Sequence, residues 1–124
     1  MSRLAFTGAR LLDPATGLDA FGTLIVEGER IAAFGSSVSP PADARQIDCK
    51  GLCLAPGLVD MRVAVGEPGE EQRETILSAS RSAAAGGITA FTMLPNTDPV
   101  IDGIAGLEFV ARRAREAKLV KIFA

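Results

Sequence analysis

Histidine is missing from all 124 residues of this chain. Its absence removes the commonest imidazole metal ligand and the commonest general base. Cysteine is scarce too, with only Cys49 and Cys53, in "CKGLC". Two thiols without a histidine make a poor zinc set, because a structural site usually draws on four nitrogen or sulfur ligands. In an extended segment both thiols would share one face. They read as reduced, partly buried strand residues of a cytoplasmic protein. No apolar run approaches the roughly 20 residues of a membrane-spanning helix. The N-terminal "MSRLAFTGARLLDP" has neither an uninterrupted apolar core nor a clear cleavage site, which argues against a signal peptide. A surplus of one charge is also lacking: 13 basic against 15 acidic residues leave −2, so neither nucleic acid nor an anionic membrane is an expected partner. The basic run "ARRAREAK" (Ala111–Lys118) therefore reads as the wet face of a helix.

What is present suits a packed domain, with 48% hydrophobic and 23% charged residues, a balance that excludes general disorder. The chain has two rhythms. Residues 1–55 are short-period and β-like. "RLAFTGARLL" has apolar positions broken by Gly8, and "DPATG" (Asp13–Gly17) is turn chemistry. "TLIVEGERIAAFG" predicts a hairpin, with strands at Thr23–Glu27 and Arg30–Phe34 and a tight turn at Gly28. "SSVSPPADAR" cannot continue a ladder and reads as an exposed loop, and "QIDCKGLCLAPG" adds two short strands around Gly51.

Residues 56–124 alternate strand and helix. "LVDMRVAV" is a strand. "EEQRETILSASRSAAAGG" predicts a helix whose early Glu residues complement the positive end of its dipole. Its inward stripe is Ile76, Ala79 and Ala83 with Leu77 and Ala84, and Gly86–Gly87 stops it. "ITAFTML" is a second strand. "GIAGLEFVARRAREAK" is a second helix with Ile104, Leu107, Val110, Ala111 and Ala114 facing inward, and "LVKIFA" opens a third strand. This order implies parallel strands with right-handed crossovers, in a barrel or a doubly wound sheet. So few units cannot close a (β/α)8 barrel, which takes about 250 residues. The expected class is α/β: a partial (β/α)8 TIM-type barrel, its first three strands and two helices, after a small β-sandwich lobe. The chain is expected to be the front piece of something larger, completed by a C-terminal portion of the barrel.

Strict alternation would point Arg62, Ala64 and Gly66 to one side, toward the axis of a barrel near its C-terminal mouth. A guanidinium has no lone pair to give and a methyl group has nothing to offer, so this strand cannot hold zinc. In "GEPGEE", Glu67 has the chemistry of a general base, though a solvated turn acid is the commoner state of such a residue. In "MLPNTDP", Asn96 either holds a ligand carboxylate or carbonyl through its amide, or makes an Asx-type turn. "AAAGGITA" runs helix to strand, the reverse of a phosphate loop. Lys50 and Lys118 have no sequence neighbours that suggest a nucleophile.

Taken together, "DPATGLD", "TLIVEGERIAAFG", "IDCKGLCLAPGLVDM", "GEPGEEQRETILSASRSAAAGGITA" and "MLPNTDPVID" carry a resemblance that runs the length of the chain. It resembles the N-terminal part of dihydroorotase-like proteins of the amidohydrolase superfamily. The resemblance implies a β-sandwich lobe built from both chain ends and a (β/α)8 barrel, in a cytoplasmic protein of pyrimidine biosynthesis that forms a homo-oligomer. Members that open the cyclic amide of dihydroorotate carry His-x-His after the Asp of the first barrel strand. An Arg two residues on grips the substrate carboxylate with the Asn of the Pro-Asn-Thr loop. Laid on this chain, Asp60 and Asn96 are kept, Arg62 and Ala64 occupy the histidine positions, and Gly66 stands where the Arg belongs.

The resemblance thus implies a pseudo-dihydroorotase, a non-catalytic structural partner of aspartate carbamoyltransferase with no metal and no catalytic residue in this chain. The alternative it leaves open is an active cyclic amidohydrolase with a mononuclear zinc site supplied by later strands, Arg62 then replacing the carboxylate clamp. A small-ligand binder using Arg62 and Asn96 as an anion pocket is a third class.

Overall fold

The computed structural model describes residues 2–124, which divide into one unit ending at Pro56 and another beginning at Gly57. The first unit is a five-stranded sheet built on β1 (Arg3–Asp13). An antiparallel hairpin joins β1 to β2 (Leu18–Glu27) around the Asp13–Gly17 turn, where Asp13 accepts from Ala15 N–H and the Thr16 hydroxyl. The expected second hairpin joins β2 to β3 (Arg30–Gly35), and Gly28 takes φ +60° in its turn. On its other side β1 pairs in parallel with β4 (Arg45–Asp48) and β5 (Cys53–Leu54).

Gly8 does not end β1. It is a bulge: Thr7 pairs with Thr23 and Ala9 with Gly22, so Gly8 has no partner and adopts φ +72°. The extra residue switches faces. Phe6, Ala9 and Leu11, which break strict alternation, thereby meet in one cluster with Cys49, Leu24 and Leu54. The thiols do not share a face, because the chain turns between β4 and β5, where Leu52 N–H donates to Cys49 O. Cys49 is buried and Cys53 is exposed, and both are free.

The second unit is a three-stranded parallel sheet in the order β6 (Leu58–Val63), β7 (Ile88–Met93), β8 (Lys121–Phe123). Helices α1 (Ile76–Ala85) and α2 (Ile104–Ala117) make the crossovers. Sequential strand order without a reversal is how a (β/α)8 barrel begins, whereas a doubly wound sheet changes direction. The core is Val65, Ile76, Ala79, Ala83, Phe91, Met93 and Val110, and Phe91 and Ile76 are fully enclosed.

Three expectations about the helices need correcting. α1 starts at Ile76, after Thr75, and no acidic residue lies in its first turn. Glu70, Glu71 and Glu74 belong to the preceding turn. The Thr75 hydroxyl accepts from Ser78 N–H while Thr75 N–H donates to the Ser78 hydroxyl, a reciprocal box that fixes the start more strongly than diffuse dipole complementarity does. Leu77 and Ala84 are exposed, and Ser80 takes their place inside by returning its hydroxyl to Ile76 O. In α2 the stripe is rotated: Val110 is buried, but Ile104 is 75% exposed and Leu107 and Ala111 are also exposed.

Candidate functional site

The chemistry singled out in the sequence lies where the parallel strands of the second unit end. β6 is less regular than alternation requires. Asp60 pairs with Phe91 and Val63 with Met93, so β6 spends one residue more than β7 over this stretch. Local bonding holds the bulge, with Arg62 N–H donating to Asp60 Oδ1 at 3.0 Å. Asp60 lines a cleft of about 240 Å³ with Glu74, Ser82 and Phe91 on the helix side of the sheet. Val63 and Val65 pack into the core, and Arg62 and Ala64 alternate with them and are exposed.

Regular strand ends at Val63, so Ala64 and Gly66 lie beyond it and not, as alternation implied, along it. Gly66 is already in the turn. Its carbonyl accepts from Glu70 N–H at 2.6 Å. A Cβ there would stand 2.6 Å from Glu70 O and 3.0 Å from Glu74 O. The turn's own backbone closes the space that a longer side chain at this position needs.

Glu67 is not a solvated turn acid. It is 2% exposed and both carboxylate oxygens are used. Ile76 N–H, at the first position of α1, donates to Oε2 at 2.7 Å, and Arg113 Nε donates to Oε1 at 2.5 Å. The acid at the positive end of the α1 dipole thus comes from nine residues upstream. A general base needs a free oxygen facing the reacting proton. Glu67 faces the helices and has none. Arg113 likewise leaves the wet face assigned to "ARRAREAK". It lies between Glu67 and Glu116, which hold its guanidinium above the ordinary arginine pKa, first through the bond to Glu67. Arg112 and Arg115 do stay exposed, with Arg112 over the Phe109 ring at 5.7 Å.

The second loop packs on the first. Asp98 N–H donates to Pro68 O at 3.1 Å, and a Cβ on Gly69 (φ +106°) would fall 2.0 Å from Asp98 O. Thr97, buried, donates its hydroxyl to Pro99 O, and Ile101 N–H reaches Pro95 O. Asn96 is exposed at the tip. Sequence reading missed the Glu67–Arg113 link. Its one signal was that Arg113 sits three residues after Val110 and four before Ala117, on the buried face.

Among the described residues no group of three His, Cys, Asp or Glu side chains is placed to hold a metal ion. Arg62 and Ala64, at the positions where the resemblance puts two imidazoles, supply no lone pair, so these two positions offer a metal no ligand.

The sequential β/α order, with its loops at the C-terminal strand ends, defines the opening part of a (β/α)8-type barrel. L-Hydantoinase (dihydropyrimidinase) from Arthrobacter aurescens superposes with a TM-score of 0.76 at 24% identity, over 94% of this chain and 25% of that one. Dihydropyrimidinase from Brevibacillus agri gives 0.78 at 19% identity, over 97% and 26%. The sequence profile described as "Dihydro-orotase-like" matches residues 51–124, and the chain belongs to that family. Named relatives include a dihydroorotase of Wolbachia sp. subsp. Drosophila simulans, 45% identical over 97% of this chain and 27% of its own length. A dihydroorotase of Pelobacter propionicus is 43% identical over 97% and 28%. A dihydroorotase-like protein of Pseudomonas putida is 42% identical over the same shares. This chain spans just over a quarter of the length of these relatives. No helix is long and apolar enough to cross a membrane among the described residues.

Proposed function

We propose that this chain is part of a dihydroorotase-like protein of pyrimidine biosynthesis that keeps the family's scaffold but not its first-strand chemistry. In this reading it is a cytoplasmic, non-catalytic partner of aspartate carbamoyltransferase, working as a homo-oligomer. The observation that carries the proposal is Gly66. The resemblance puts a substrate-clamping Arg at this position, and here a Cβ alone would meet Glu70 O at 2.6 Å. Arg62 and Ala64 add to it, since neither donates to a metal. The loops and helices around them still pack, through the Glu67–Arg113 pair and the Asp98 N–H to Pro68 O bond.

Asn96 and Arg62 are both exposed, and either can still meet an anionic group without catalysis. The test is co-elution of the intact protein with aspartate carbamoyltransferase on a sizing column, with assays for dihydroorotate turnover before and after chelation. Co-elution and no turnover are expected. A protein that elutes alone and turns over dihydroorotate until chelated contradicts the proposal.

One observation favours a second reading, in which the intact protein is a metal-dependent cyclic amidohydrolase. Relatives 43–45% identical to this chain bear the name dihydroorotase. Its zinc would then be bound by residues outside this chain.

A further inference from the structure

Glu67 is the only charged side chain among the buried residues described. A buried carboxylate is costly unless it is paired and hydrogen-bonded. Here each oxygen has a different partner: the α1 N-terminus through Ile76 N–H, and α2 through Arg113. Those contacts close a ring. The loop at residues 94–103 leads into α2, Arg113 of α2 returns to Glu67, and Pro68 next to Glu67 holds Asp98 of that same loop. Gly69 lets the two loops touch, because any side chain there would strike Asp98 O.

We propose that Glu67 is an electrostatic pin that holds the two strand-end loops in register without a bound ion. The inference rests on the reading that the metal strand is altered, and it names what keeps the loops ordered in its place. The pin acts from the helix side, so it leaves the open face free.

Hydrogen–deuterium exchange on the intact protein, with and without chelator, tests it. Glu67→Gln and Arg113→Met are each expected to speed exchange at least tenfold in both residues 66–76 and residues 94–103. Arg113→Lys, which keeps the cation, should recover most of the protection. The double variant should be no worse than Arg113→Met alone, and Glu74→Gln, at a half-buried neighbouring acid outside the Glu67–Arg113 contact, should match wild type. Acceleration confined to residues 66–76 would make Glu67 a local cap and overturn the pin. Loss of wild-type loop protection on chelation would make an ion the organiser and overturn it as well. Should Glu67→Gln fail to fold, Arg113→Met decides, since that side chain reaches solvent. The non-catalytic reading fails separately, through chelator-sensitive turnover. Unchanged exchange in Arg113→Met without turnover would sink the pin alone.

Discussion

The carbonyl oxygen of Glu70 lies 2.6 Å from where a Cβ on Gly66 would be, and Glu70 N–H donates back to Gly66 O. That pair seals the turn after β6. Gly66→Ala is therefore expected to destabilise the protein by about 1–3 kcal/mol, the usual range for forcing volume into a packed site. Gly66→Arg should destabilise at least as much and should not create carboxylate binding. Thermal melts of both variants check this, alongside titration with a small dicarboxylate.

Thr75 and Ser78 form the reciprocal box at the start of α1. Thr75→Ala removes the acceptor for Ser78 N–H and is expected to cost about 1 kcal/mol, while Thr75→Asp should retain most of the stability. Chemical denaturation of the two variants distinguishes loss of a cap from a general effect of substitution.

Lys118 ends α2 in the left-handed region at φ 51°, its N–H donating to Ala114 O. A side chain in that region carries a steric cost of roughly 1–2 kcal/mol that glycine avoids. Lys118→Gly should therefore raise stability, by up to about 1 kcal/mol once the added freedom of the unfolded chain is deducted. A melting temperature at or below wild type contradicts this.

Much of this architecture was legible in the sequence, and what was not has physical causes. Turn chemistry at Asp13–Gly17 and Gly28 fixes hairpins locally, so the first lobe reads directly. Parallel pairing follows from the strand and helix lengths. The Gly8 bulge hides inside an apolar run, where only the spacing of Phe6, Ala9 and Leu11 betrays it. The rotation of α2 and the burial of Glu67 depend on a partner 46 residues away. Only the spacing of Arg113 from Val110 and Ala117 hints at that link, and the basic run around it masks the hint, so the sequence alone predicts a solvated Arg113 and a buried Ile104. The same limit applies to Gly66, whose missing side chain looks like simple loss until the Glu70 and Glu74 carbonyls above it are seen.

Two exposed carboxylates give the pH dependence a sign. Asp19 is held below its ordinary value of 3.8 by its bonds from Arg10, and Glu71 below 4.5 by Gly69 N–H and its own backbone N–H. Lowered folded-state values mean stability that is fully present above about pH 5 and is lost as pH falls through the folded-state pKa values. Asp19→Asn and Glu71→Gln should each flatten the acid limb of the stability curve slightly. The effect of Asp19→Asn should shrink at high salt, because its Arg10 partner is exposed. A steeper acid limb in either variant would reverse the assignment.

The central claim is that the scaffold persists while its metal strand has changed. Native mass spectrometry of the intact protein, purified without added metal, tests it most directly, because one spectrum reads chain length, bound ions and partners. The account predicts a metal-free polypeptide longer than 124 residues, bound to aspartate carbamoyltransferase where that enzyme is present. One zinc per chain in that spectrum would contradict it.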